Sequence, residues 1–258
     1  MPATEWGWRI DADELESWIL RNDERLLVVN KPGLVLCHPS KHGPWSSLIG
    51  ACREYLGLER LHMPSRLDRE TSGVMVFAKD PETASLFQKA VQKRAVTKSY
   101  LALLDGEMRA SVSVNEPIGD DEGSAVRARQ WVRADGLASA TEFEPVESSG
   151  LYTLVKVRPR TGRLHQIRVH AAWLGHPVVG DKIYGPDQRL FLEFIEKGFT
   201  SNLARYLPLP RQALHASQIV YHLESGDMIF EAPLAADLAE FHRLHFPMPS
   251  LDRNGPIL

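Results

Sequence analysis

Cysteine is nearly missing from this chain: Cys37 and Cys52 are the only two in 258 residues. Two thiols supply neither a framework of disulfide staples nor a paired-cysteine metal site, and such scarcity fits a reducing compartment. A cytoplasmic location is therefore expected. Long uncharged apolar runs are missing too, which excludes a membrane-spanning helix. The amino-terminal stretch MPATEWGWRIDADELESWIL carries acids where a signal peptide needs its apolar centre. No G-x-x-x-x-G-K-[ST], G-x-G-x-x-G or G-x-S-x-G pattern occurs, so triphosphate binding, dinucleotide binding and the serine-elbow hydrolases lose their usual support. Ten histidines are present, yet His38, His42, His165 and His170 show no familiar metal-ligand spacing. No metal and no cofactor is expected.

An excess of positive charge is also lacking. Lys and Arg number 30 against 33 Asp and Glu, a formal net charge of -3. The distribution is more informative than the total. Lys156, Arg158, Arg160, Arg163, Arg168 and Lys182 share their stretch with one acid, Asp181, and Lys89, Lys93, Arg94 and Lys98 share theirs with none. Such runs suit one anion-facing patch, or ordinary solvated faces.

What is present reads as alternating short elements. Leu26-Leu27-Val28-Val29 stops at Asn30-Lys31-Pro32-Gly33, a buried strand ended by a turn. Trp18-Ile19-Leu20 is either its hairpin partner or the end of a short helix from Asp11. Val74 to Ala78 is a second strand, and Asp80-Pro81-Glu82 starts a helix whose apolar stripe is Leu86, Phe87, Ala90 and Val91. Tyr100 to Leu104, Ala140 to Val146 and Leu151 to Arg158 read as strands. Leu164 to Leu174 reads as a helix ended by Gly175. Ala213 to His222 and Asp227 to Phe230 form a late hairpin, followed by a helix over Leu234 to Leu244. Hairpin-joined strands with interspersed helices imply an α+β fold with a mainly antiparallel, mixed sheet, flanking helices and a central active-site cleft. Residues 1–24 are expected to be an extension packed on a catalytic domain spanning 25–258, with an acidic loop near Asp120-Asp121-Glu122-Gly123.

The stretch 65-SRLDRETSGV-74 sets an acid, Asp68, between two arginines and ahead of Thr71-Ser72-Gly73. A carboxylate before Thr-Ser-Gly serves commonly as an Asx-turn or helix cap. Its neighbours point further. The string resembles the R-L-D-x-x-T-S-G signature of the RluA-type pseudouridine synthases. Asn30-Lys31-Pro32 resembles that family's N-K-P turn, Lys98-Ser99-Tyr100 its K-x-Y, and 161-TGRLHQIRVHAAWLGHPVVGDKIYG-185 its T-G-R-x-H-Q-I-R segment with the following G-D-x-x-Y. Ala213-Leu214-His215-Ala216 and Phe230-Glu231-Ala232-Pro233 resemble its closing motifs. One departure is Ser65, where the family usually has His. The chain looks like a compact member without the added amino-terminal RNA-binding module.

The resemblance implies isomerisation of uridine in RNA, tRNA or rRNA, to pseudouridine, by base flipping and an aspartate. It implies that Asp68 is catalytic and that Arg168 is its ion partner, holding the carboxylate in a bidentate pair against the effect of burial. Tyr100 is implied to stack on the uracil and to take the C5 proton late. Arg66 is implied to fill the space of the extruded base, since a planar cation replaces lost stacking. Lys98, Arg163, His165 and Ile167 join Arg66 as implied substrate-binding residues, although the spacing of Leu164 and Ile167 equally suits core packing. RNA is the expected partner, membrane is not, and a monomer is the expected state. Two other classes compete. A glycoside hydrolase would pair Asp68 with Glu70 or Asp181, and a non-catalytic RNA-binding protein would keep the fold without the chemistry.

Overall fold

The computed structural model describes residues 9–38 and 42–246; residues 1–8 of the expected extension and 247–258 of the expected catalytic domain lie outside the described residues. The chain opens with α1 (Ala12–Trp18), started by a reciprocal Asp11/Glu14 capping box, and runs at once into β1 (Ile19–Asn22). Both readings of Trp18-Ile19-Leu20 therefore hold, the helix ending where the hairpin begins. Asp23 makes the turn by accepting the N–H groups of Arg25 and Leu26, and β2 (Leu26–Lys31) follows. Helix α2 (Leu48–Leu56), which has no counterpart in the sequence reading, is capped by Ser47 and ends at Gly57, whose φ is 63°.

Strand β3 (Ser72–Ala78) leads into α3 (Pro81–Gln92), where Asp80 caps the N–H of Thr83 at 2.8 Å. The buried face of α3 is Thr83, Phe87 and Ala90. Leu86 and Val91, expected in the stripe, are 43% and 37% exposed, because an inward row at positions i, i+4 and i+7 leaves them on its flanks. Next come β4 (Val96–Asp105), β5 (Val112–Val114), β6 (Ile118–Asp120), β7 (Gln130–Val132), β8 (Thr141–Ser148) and β9 (Tyr152–Pro159). The acidic residues after Asp120 lie in the β6–β7 connection. Then follow α4 (Gln166–Trp173), α5 (Arg189–Lys197), α6 (Leu203–Tyr206), β10 (Leu214–Leu223), β11 (Gly226–Glu231) and α7 (Ala236–His245). Among the described residues no helix is long and apolar enough to cross a membrane.

Among the described residues nine strands form one sheet in the order β1-β2-β3-β10-β4-β9-β8-β5, with β11 pairing the second half of β10. All its pairs are antiparallel except β3 with β10, where Ser72 faces His215 and Gly73 faces Ala216. The unbroken apolar runs of β2 and β3 have a simple cause: both faces are covered. Leu26, Val28, Val74 and Val76 belong to the main core, whereas Leu27, Val29, Met75 and Phe77 belong to a second core with Ile10 and Leu15 of the amino-terminal segment and Leu48, Ala51 and Cys52 of α2. The α+β class and mainly antiparallel sheet are thus as expected.

The single parallel pair positions the loop that precedes β3. Its closeness requires Gly73, which has φ of 117° and whose added Cβ would stand 2.2 Å from the Ala216 carbonyl oxygen. Gly73→Ala must strain its own dihedral and push apart two backbones, together about 3 kcal/mol. A urea melt should show the midpoint of this variant falling by that equivalent with an unchanged slope; a midpoint within error of wild type would show that the strand pair yields.

Candidate active site

The loop from Arg66 to Thr71 is held by its backbone. Cys37 Sγ donates to the carbonyl of Leu67 (3.2 Å), the N–H of Thr71 to that of Asp68 (3.2 Å), Lys31 Nζ to that of Arg69 (3.0 Å) and Arg211 Nη1 to that of Glu70 (3.0 Å). Four successive carbonyls are thereby satisfied without regular secondary structure. Lys31 is fully buried, and burial lowers its pKa to about 8. It also donates to the carbonyls of Pro32 and Val35, so the N-K-P turn and the Asp68 loop are tied through one ammonium. Because Thr71 bonds the main-chain oxygen of Asp68, the carboxylate is not consumed as a turn cap.

That carboxylate meets Arg168, 100 residues away in sequence, with Nη1 donating to Oδ2 at 3.2 Å. The bidentate geometry expected for this pair goes elsewhere. Arg168 Nε and Nη2 donate to Oδ2 and Oδ1 of Asp181 at 2.5 and 2.8 Å, and Asp181 is completely buried. The reason is positional. Asp181 is fixed from below by the N–H groups of Ile183 and Tyr184, so it offers both oxygens to the guanidinium fork. Asp68 takes the remaining Nη1, keeps 31% of its side chain exposed, and has no hydrogen bond on Oδ1 among the described residues. Burial opposes the charge on Arg168, but Asp181 more than offsets it and the guanidinium pKa is raised. The Tyr184 ring lies 5.0 Å beneath Arg168.

The expected helix from Leu164 starts late, at Gln166, because His165 has φ of 57° and belongs to a loop that curls over the site. Gln166, absent from the sequence-based site, braces that loop. Its Oε1 accepts from the Thr161 hydroxyl (2.7 Å) and the Arg163 N–H (3.0 Å), and its Nε2 donates to the Ala140 carbonyl and Thr141 Oγ1, both at 2.9 Å. His165 thus faces Asp68, with Nε2 4.0 Å from Oδ2, while His170 is buried against Thr141 and the Glu116 carbonyl. Among the described residues no group of three or more His, Cys, Asp or Glu is placed to hold a metal ion.

A cavity of about 250 Å³ opens above the pair, and all eight sequence-predicted residues line it: Asp68, Tyr100, Arg168, Arg66, Lys98, Arg163, His165 and Ile167. Arg66 is exposed. Arg163 is tied by Nε to the Ala138 carbonyl. Ile167 is 7% exposed and serves both cavity wall and core. Tyr100 is 8% exposed, on β4 opposite Ala216 of β10. Burial, and secondarily the charge of Asp68, raises its phenol pKa and keeps it protonated. Burial likewise lowers the pKa of Lys98.

Two expectations change. The acids offered as hydrolytic partners are both engaged, Asp181 by Arg168 and Glu70 by Lys182 Nζ at 2.8 Å, so neither stands beside Asp68 as an open carboxylate. Part of the basic run is also neutralised: Arg158 pairs with Glu144 and Arg160 with Glu142 across the β8–β9 ladder. Both pairs are diagonal: Arg158 lies opposite Glu142 and reaches Glu144, and Arg160, one residue past β9, reaches Glu142.

A family model described as RNA pseudouridylate synthase matches residues 25–173. Ribosomal large subunit pseudouridine synthase D of Salmonella typhimurium is 34% identical over 238 residues, covering 90% of this chain and 71% of that protein. An uncharacterized RNA pseudouridine synthase of Bacillus subtilis is 31% identical over 237 residues, covering 88% of this chain and 72% of that one. Among solved structures, human RNA pseudouridylate synthase domain containing 4 superposes with a TM-score of 0.72 at 27% identity, over 92% of this chain and 97% of that chain.

Asp181 ties stability to pH. Burial raises its pKa, but Arg168 and the two N–H groups outweigh this and hold it below the ordinary carboxylate value. A carboxyl lowered on folding stabilises fully above its unfolded pKa of about 3.9 and loses that contribution as pH falls through the folded value. Asp181→Asn should cost about 3 kcal/mol at neutral pH by leaving Arg168 short of charge, and its melting temperature should decline less between pH 5 and pH 3 than that of wild type. Parallel acid limbs would refute this assignment.

Proposed function

The chain belongs to the RNA pseudouridylate synthase family and isomerises uridine in RNA to pseudouridine; we propose that its substrate is ribosomal RNA and that Asp68 is the reacting carboxylate. In this reaction the N1–C1′ bond of the nucleotide breaks, the uracil turns, and a C5–C1′ bond forms, with the C5 proton lost and N1 protonated. No water, redox carrier or activated donor is consumed. The chemistry calls for a carboxylate that bonds transiently to the substrate or supports the charge that develops at the sugar.

The observation that carries this reading is the contact of Asp68 Oδ2 with Arg168 Nη1 at 3.2 Å, in a cavity that Tyr100 also lines. A single hydrogen bond from a buried cation gives the carboxylate a charged partner and leaves Oδ1 open. Tyr100, protonated, offers a ring for the uracil. Once bonding at Asp68 has spent the carboxylate charge, one of the two causes that hold the phenol in its protonated form is removed. Arg66, exposed at the cavity, fills the stack when the base is extruded. Lys98, Arg163, His165 and Ile167 surround the bound nucleotide. The choice of ribosomal RNA is supported by the names of the Salmonella typhimurium relative and of the similar proteins from Escherichia coli and Vibrio vulnificus, all large-subunit enzymes. The engaged state of Glu70 and Asp181 disfavours glycoside hydrolysis, which needs two working acids.

Total RNA labelled with tritium at uridine C5, prepared from cells lacking this gene, tests the proposal. Wild type should release tritium without added metal or nucleotide. Asp68→Asn should bind the RNA and release none. Mapping pseudouridine in the recovered RNA should place the new residue in ribosomal RNA; its appearance only in transfer RNA would overturn the substrate assignment, and release by Asp68→Asn would overturn the role of the carboxylate.

A further inference from the structure

His165 lies beside the reacting pair, with Nε2 4.0 Å from Asp68 Oδ2, and its hydrogen bonding leaves a single consistent arrangement of protons. Its Nδ1 lies 2.9 Å from the Tyr184 hydroxyl, and that hydroxyl accepts the backbone N–H of Gln130 at 2.8 Å. Tyr184 is 4% exposed, so its O–H proton needs an acceptor. Among the described residues the only other polar group bonded to that oxygen is His165 Nδ1. If Nδ1 carried a proton, the hydroxyl would accept two N–H groups and its own proton would be orphaned. The Nε2 lone pair would then point at the Asp68 carboxylate, 4.0 Å away. If Nε2 carries the proton, both problems vanish: Tyr184 O–H donates to Nδ1 and Nε2–H faces Oδ2 of Asp68. Protonation of both nitrogens would restore the orphaned hydroxyl and place a cation beside Arg168. Burial, with the Arg168 charge, lowers the imidazole pKa to about 4.

We propose that His165 is a positioning residue, a neutral imidazole locked as its Nε2–H tautomer by Tyr184, whose N–H joins Arg168 on Oδ2 of Asp68 and leaves Oδ1 as the oxygen presented to the nucleotide. This deepens, and rests on, the assignment of Asp68 as the reacting carboxylate. A gap of 4.0 Å exceeds a hydrogen bond, and such contacts tighten when substrate fills the site. Two donors on one oxygen fix the rotation of the carboxylate. A neutral donor does so without a second cation that would hold the carboxylate in the ground state. The left-handed backbone of His165 is what turns its ring toward Asp68 rather than into the row of α4.

Two measurements test this. In wild type labelled with ¹⁵N in its histidine rings, proton–nitrogen correlation spectra should show one imidazole in the Nε2–H form that stays neutral at pH 5, identified by its loss in His165→Gln. The charges facing it are Asp68, Arg168 and Asp181, with the Tyr184 hydroxyl. An Nδ1–H ring, or one that becomes charged near the ordinary histidine pKa, overturns the proposal whatever the enzyme's activity. In the tritium assay, His165→Gln sets an amide N–H near the Nε2 position, whereas His165→Asn suits the left-handed backbone better but reaches only the Nδ1 position. The glutamine variant should exceed the asparagine variant in kcat by about tenfold, with KM similar in both. An asparagine variant equal to or faster than the glutamine variant would assign His165 to backbone geometry alone. Absence of release by wild type would refute the synthase reading, and the spectrum would still decide the tautomer.

Discussion

Arg168 lies between two carboxylates that it treats differently, and most of the surrounding architecture keeps that difference in place. Asp181 receives the two-bond fork and is wholly buried, while Asp68 receives one bond and remains partly open. If the fork turned to Asp68, both its oxygens would be occupied and its bonding capacity would be spent in the ground state. If Asp181 were absent, the guanidinium would be buried with too little charge to offset its desolvation. A buried, doubly bonded anion thus holds the cation, and the cation holds the second anion lightly. Tyr184 serves both sides, its ring under Arg168 and its hydroxyl on His165.

The rest of the fold brings that arrangement to the mouth of a short parallel strand pair. Asp68 precedes β3, whose pairing with β10 is possible only because Gly73 has no side chain. Tyr100 reaches the same cavity from β4 on the other side of β10. Arg168 descends from α4, which follows β9 through the loop braced by Gln166. Three segments distant in sequence therefore converge on one cavity. The loop that carries Asp68 is irregular yet fixed, since Lys31, Cys37, Arg211 and the Thr71 N–H each take one of its carbonyls. Arg211 also bonds Asp237 of α7 and the Ser72 hydroxyl, which connects the carboxyl-terminal helix to the same few residues. Gly33 belongs to this knot: an added Cβ there would meet the Arg211 side chain at 2.3 Å.

Much of this was legible before any coordinates. Strands with one apolar face or two, and the Asp80-Pro81 start of α3, follow from local patterning and turn chemistry, and all eight residues singled out for the site line one cavity. What escaped has physical reasons. Helix α2 carries Gly50, Cys52 and Tyr55, residues of modest helix propensity, and its burial in one core with β2 and β3 supplies the stability. The start of α4 was misplaced because a left-handed non-glycine residue such as His165 has no sequence signal. Asp181 stood in plain view as the only acid of a basic run, but charge counting cannot distinguish a solvated carboxylate from one buried under a guanidinium. Gln166 was hidden for a related reason. An amide whose four hydrogen bonds join the loop before α4 to the start of β8 looks in sequence like any polar helical residue.

The same pairing logic bears on how RNA is gripped. A chain with net charge -3 that neutralises Arg158 and Arg160 with Glu144 and Glu142 does not present a broad positive field, and non-specific affinity for nucleic acid comes mainly from such fields. Three basic side chains meet instead around one opening, where Arg66 is exposed and Lys98 and Arg163 line the wall. Under the proposed function, binding energy would accrue chiefly where a nucleotide leaves its stack and enters the cavity. Under the proposed assignment, recognition and chemistry use the same small set of residues, so an RNA whose base cannot be extruded would gain little from the protein surface, and discrimination would arise from the ease with which a loop or bulge gives up its uridine.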